Sequence, residues 1–172
     1  TEITCADLEF GWRITLDPNV GAATRAAAQE IDSINWDEKS LKKCKITQNK
    51  ISWMYYRNTA SILPKHLEEP IYEKFKNSPN GYQQNSNYTK NPTLPGLYNG
   101  PYKVKELKLG SHIILEKNPK YFGKQADIKN IVIRIISNTG ALEANLRSGE
   151  IDMISSIGLT FDQALSLEKK II

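Results

Sequence analysis

Tyr102-Lys103-Val104-Lys105-Glu106-Leu107 and His112-Ile113-Ile114-Leu115-Glu116 stand either side of Leu109-Gly110-Ser111. Two β-prone runs around a glycine-bearing turn predict a hairpin. Ile128 to Ile136 predicts a further strand, with Ile131, Ile133 and Ile135 on one face. Beyond it, Asn138 or Thr139 caps a helix running to about Arg147, and Gly149 stops it. Asp152 to Ser156 reads as a short extended segment. Thr160-Phe161-Asp162-Gln163 is a capping box that opens a last helix.

Upstream of the hairpin the pattern changes. Asn77 to Asn99 is rich in Asn, Gln, Gly, Pro and Tyr and almost free of aliphatic residues, which predicts a long loop. Lys65 to Lys76 predicts two short helical pieces, because Pro70 interrupts it. Trp53-Met54-Tyr55-Tyr56 is expected in the core. Ile31 to Trp36 and Leu41 to Thr47 read as two strands around Asp37-Glu38-Lys39, with Cys44 and Ile46 on one face. Ala22 to Gln29 is alanine-rich and predicts a helix. The first element is ambiguous. Leu8, Phe10, Trp12, Ile14 and Leu16 alternate with other residues as in a strand, whereas Thr4 and Asp7 suit a helix start. The succession of elements gives a mixed α/β (α+β) fold.

Composition narrows the function classes. The 172 residues carry a net charge of +4, with Lys39, Lys42, Lys43 and Lys45 as the densest basic cluster. That cluster has no interleaved aromatics and no recognisable module, so no nucleic-acid partner is expected. A lysine-protected edge strand is the plainer reading. The longest apolar run is strand-length, far below the roughly 20 residues of a membrane span. Thr1 to Asp7 does not resemble a signal peptide, so the chain is expected to be cytoplasmic or to have lost a leader. Cys5 and Cys44 form one disulfide in an oxidising compartment or remain two buried thiols.

No catalytic constellation stands out. The sequence has no G-x-S-x-G, no H-E-x-x-H and no phosphate-binding glycine loop. Glu150 with Asp152, and Glu68 with Glu69, read as solvated carboxylates rather than an acid–base pair. His66 and His112 stand apart from both cysteines, so neither a metal site nor a cofactor is expected.

Several blocks resemble the family 5 extracellular solute-binding proteins, the dipeptide, oligopeptide and nickel-binding class. Asn99-Gly100-Pro101-Tyr102-Lys103-Val104, with Leu115-Glu116-Lys117-Asn118-Pro119-Lys120-Tyr121-Phe122-Gly123, is similar to the family's N-G-P-Y-x-V … L-x-x-N-P-x-Y-W/F-G. Leu146 to Met153 resembles its L-x-S-G-E-I-D block, and Ile62 to Leu67 its I-L-P-K-H-L segment. Thr4 to Arg13, followed by Asp17-Pro18, resembles its T-A-x-D-V-x-F-S-W-x-R. The last resemblance implies a helix from Cys5 to about Leu16. Members are much longer, so the chain is expected to be a fragment.

The resemblance implies a part of the periplasmic-binding-protein type II fold. Residues 1–63 would belong to a smaller lobe, and residues 64–172 to the ligand-binding lobe. It implies the solute-binding component of an ABC importer, periplasmic or at the cell surface, not an enzyme and expected to be monomeric. Peptides are the expected solute, and membrane permease subunits the expected partners. Nickel, another small solute, or a non-transporting structural or signalling role are the alternatives. Carried over by position, the ligand-facing residues are Ser155 and Ser156 after the G-E-I-D block, and Thr24 with Arg25 after Asp17-Pro18. Hydroxyls suit a peptide main chain, and an arginine fork suits a carboxylate.

Overall fold

Thr4 and Asp7 start the first element as a helix. In the computed structural model, which describes residues 2–53, 55–56, 60–155 and 158–171, helix α1 spans Cys5–Leu16. The Asp7 carboxylate accepts from the Thr4 N–H (2.8 Å) and hydroxyl (3.0 Å), and from the Lys65 N–H (2.9 Å). The stripe Asp7, Phe10, Gly11 and Ile14 is buried, at true helical spacing. One acid and one glycine occupy that stripe, which is why hydrophobicity alone imitates a strand.

Residues after α1 turn sharply. Helix α2 covers only Ala26–Gln29, not the whole of Ala22–Gln29. The Arg25 guanidinium instead ties this stretch back to the end of α1, donating to the carbonyls of Asp17 and Val20. Strands β1 (Ile31–Trp36) and β2 (Cys44–Gln48) pair antiparallel. Ile46 lies opposite Ile34 and Cys44 opposite Trp36, so Cys44 and Ile46 share a face as expected. An irregularity between Ile31 and Ser33 breaks the alternation of β1. The second strand begins later than expected because two consecutive turns, Ser40 N–H to Asp37 O and Lys43 N–H to Ser40 O, consume the approach.

Cys5 and Cys44 form a disulfide with Cα atoms 5.6 Å apart, tying the start of α1 to the start of β2. Closing a loop with a sequence separation of 39 stabilises the fold by about 4 kcal/mol in the chain-entropy account.

Helix α3 (Lys65–Phe75) runs unbroken through Pro70. Both Pro70 and His66, one turn before it, are exposed, so the carbonyl that proline leaves unpaired sits on the solvent side. Tyr72 and Glu68 on the opposite side are buried and anchor the helix. Arg13 of α1 reaches Glu69 (2.9 Å) and Glu73 (3.7 Å) of α3 and lies over the rings of Phe10 and Tyr72.

The expected loop from Asn77 to Asn99 contains helices α4 (Gly81–Asn85) and α5 (Asn87–Lys90). Its core is aromatic and polar rather than aliphatic. Fully buried Glu68 accepts from the Tyr82 hydroxyl (2.9 Å) and the Asn87 N–H (3.2 Å), and Tyr88 donates to the Leu97 carbonyl (3.1 Å). Phe10, Ile14, Val20, Tyr72 and Tyr82 form one hydrophobic cluster, with Leu63 and Ile71 against it. That cluster draws on residues from both sides of position 63.

The second half is a three-stranded antiparallel sheet in the order β3 (Tyr102–Lys108), β4 (His112–Lys117), β5 (Asn130–Arg134). Its register puts Val104, Leu107, Ile113, Leu115, Ile131 and Ile133 on one face. Helix α6 (Thr139–Arg147) is capped by Asn138, whose side chain accepts from the Ala141 N–H (3.0 Å). Its end is a full Schellman motif. Gly149 N–H donates to Leu146 O, Glu150 N–H to Asn145 O, and Gly149 takes φ +77°. Helix α7 (Phe161–Ile171) follows the Thr160–Gln163 capping box, whose two reciprocal hydrogen bonds are both made.

Asn118 joins the two halves. Its buried amide donates to the carbonyls of Tyr98 (3.3 Å) and Gly100 (2.9 Å), its oxygen accepts from Lys120 N–H, and its own N–H donates to Pro101 O.

Candidate functional site

Two of the four candidate ligand residues sit between α1 and α2. Thr24 is exposed, and its hydroxyl oxygen accepts from the Ala26 N–H (3.3 Å). Arg25 is half-buried, and its fork is occupied by the chain's own carbonyls. The Arg25 Nε is buried and has no hydrogen-bond partner. Arg25 thus organises the loop it stands in, and a carboxylate would have to compete with two backbone acceptors.

Ser155 is exposed in the irregular stretch after α6, where the Gly158 N–H donates to its carbonyl (2.8 Å). Residues 152–155 form no strand, against the expected extended element. Ser156 lies outside the described residues. Among the described residues, no hydrogen bond joins Ser155 to Thr24 or Arg25.

The aromatic segment expected in the core is at the surface. Trp53, Tyr55 and Tyr56 are 80%, 67% and 63% exposed, and Met54 lies outside the described residues. A surface turn after β2 cannot bury several large rings at once. Tyr55, Tyr56, Ile46, Gln48 and Ile51 instead line an open groove of about 520 Å³. That is the size of a small-molecule site, though it is wide open. Its signal in the sequence was an aromatic run flanked mainly by polar residues.

At the tip of the β3–β4 hairpin, His112 contacts the Ser111 hydroxyl (3.0 Å) and Glu106 (3.3 Å). Serine, histidine and carboxylate are the groups of a hydrolytic triad, but here they ride on a hairpin tip with Ser111 and His112 only half-buried, and none of them lines the groove beside Tyr55. A triad needs an enclosed place for the reacting carbonyl and donors for its oxyanion.

The comparisons with known proteins give the context for these residues. The model of the bacterial extracellular solute-binding proteins, family 5 Middle, matches residues 1–172. The chain belongs to this family. Among curated family 5 relatives, the oligopeptide-binding protein AppA of Bacillus subtilis is 26% identical over 161 residues, 90% of this chain and 27% of AppA. OppA of the same organism, also an oligopeptide-binding protein, is 26% identical over 164 residues, 87% of this chain and 28% of OppA. The family 5 chain thus spans under a third of these relatives. The solved oligopeptide-binding protein of Thermus thermophilus, complexed with a pentapeptide, superposes with TM-score 0.72 at 23% identity, over 94% of this chain and 30% of that one. The mixed helix-and-sheet fold is accordingly part of that of a two-lobe, type II binding protein.

Proposed function

We propose that this chain is the middle portion of a solute-binding component of an ABC importer, which captures di- or oligopeptides outside the cytoplasmic membrane by closure of two lobes. The family match across all 172 residues carries the reading. A half-exposed apolar sheet face supports it. Ile133 and, just past the strand, Ile135 are 44% and 53% exposed, as suits a sheet awaiting another layer. The Cys5–Cys44 disulfide supports an extracytoplasmic location, where such bonds persist.

Lobe assignment and ligand contacts belong to the same proposal. The shared cluster of Phe10, Ile14, Val20, Tyr72 and Tyr82 favours keeping residues on both sides of position 63 in one lobe. The change of lobe then falls near Gly100, where the Asn118 clasp closes the crossing. Ser155, Ser156, Thr24 and Arg25 are the proposed contacts, with Arg25 the weakest because its guanidinium is already engaged.

Calorimetric titration of the full-length protein with defined di- to nonapeptides, and with a nickel–histidine complex, tests the function. Peptide affinity in the micromolar range or tighter is expected. Binding of the nickel complex alone, or of no solute, refutes peptide capture. Single alanine replacements of Ser155, Ser156 and Thr24 should each weaken peptide binding by about 0.5–1.5 kcal/mol. Unchanged affinity in all three, with melting temperature preserved, removes these residues from the site.

A further inference from the structure

We propose that Cys44 is a thiol-exchange site, at which an external thiolate adds reversibly, and that Cys5 is the buried thiol that resolves the adduct. The two sulfur residues are unlike. Cys5 is 0% exposed within the first turn of α1, whereas Cys44 is exposed at the start of β2. Exchange requires in-line approach to one sulfur, and access decides which sulfur is attacked. An incoming thiolate therefore reaches Cys44.

The step balances without a further oxidant. The external sulfur bonds to Cys44 Sγ as the Cys44–Cys5 bond breaks. The electron pair leaves on Cys5 Sγ, which takes a proton from solvent, so one disulfide replaces another. The reverse step follows when the Cys5 thiolate attacks Cys44 Sγ and expels the external thiol. Cys5 stays close enough to do so, because contacts other than the disulfide keep the hairpin on α1. Cys5 N–H donates to Leu41 O (2.8 Å), and Lys42 pairs with Glu2 (3.0 Å).

Charge favours an anionic visitor. Lys43 and Lys45 flank Cys44 and are exposed, and Lys39 stands in the same turn. Glu2 is taken by Lys42, while Asp37 and Glu38 lie at the far end of the turn and offset part of this field. Neighbouring cations raise the local concentration of an anionic thiolate.

The test treats the oxidised full-length protein with a small excess of glutathione, quenches with acid, and maps the adduct by peptide mass spectrometry. The expected adduct sits on Cys44 over Cys5 by about tenfold or more, with Cys5 alkylated only after denaturation. Adduct on Cys5, equal adduct on both, or no adduct before unfolding overturns the proposal. Two variants give an independent readout. With Cys5→Ser, Cys44 should react with a maleimide in the native protein; with Cys44→Ser, Cys5 should react only in denaturant. Equal native reactivity in the two variants overturns it as well. Paired Lys43→Gln and Lys45→Gln replacements should slow glutathionylation, and the slowing should vanish at high salt; an unchanged rate overturns the part assigned to the lysines.

Discussion

Gly11 stands where the returning chain crosses α1. A Cβ built on it would lie 1.7 Å from the Ser61 carbonyl oxygen, which is backbone and cannot swing aside. The crossing is fixed just downstream of Ser61, by Leu63 N–H to Asp7 O (3.3 Å) and Lys65 N–H to the Asp7 carboxylate. Gly11→Ala should therefore destabilise the protein by about 2–3 kcal/mol, as overpacking against an immovable neighbour does. A urea midpoint equal to that of the parent would show that the crossing is looser than described. The helix around Gly11 was legible only through its caps and the family resemblance. Its buried stripe spends one position on glycine and one on aspartate, and no hydrophobicity count registers either.

Helices α3, α4 and α5 are held by tyrosines and one carboxylate, and that gives them an alkaline limit. Burial, then the hydrogen bond to Asp17, pushes the Tyr72 phenol up to about 12. Burial and Glu68 push Tyr82 and Tyr88 up further. The free phenol titrates near 10. A raised folded value means that the folded state keeps its proton longer than the unfolded chain. Stability from Tyr72 is then full below about pH 10 and is lost as pH rises through about 12. Urea midpoints measured from pH 8 upward should begin to fall near pH 10, and Tyr72→Phe should fall less steeply. An equally steep fall in that variant would discard Tyr72 as a contributor. The same helices show why Asn77 to Asn99 looked like a loop. Aliphatic residues were the guide, whereas buried Tyr82, Ser86 and Asn87 do the packing through side-chain hydrogen bonds. Helix α6 was legible because its signals are local: Asn138 before it and Gly149 after it. Gly149→Ala should cost about 1 kcal/mol through the left-handed C′ position. Faster amide exchange across α6 is the readout, and unaltered exchange would count against the Schellman stop.

At the scale of the whole molecule, the 172-residue stretch made alone should bind peptides no better than about millimolar, because a cleft gains affinity from enclosing its ligand. Titration with a peptide pool checks this, and micromolar binding by the stretch alone would refute it. The hairpin, the third strand and the family were readable because they rest on contiguous blocks. The candidate ligand residues rest on family position alone, since Thr24 and Ser155 are short polar residues whose partners depend on surroundings that no local spacing encodes. Asn118 has a mechanical consequence. Its amide and backbone hold the peptides of Tyr98, Gly100, Pro101 and Lys120 at once. Turning the sheet against the helical body would break several of these bonds together. The joint therefore resists torque, and under the change of lobe proposed near Gly100 it would act as a stiff strut in that crossing.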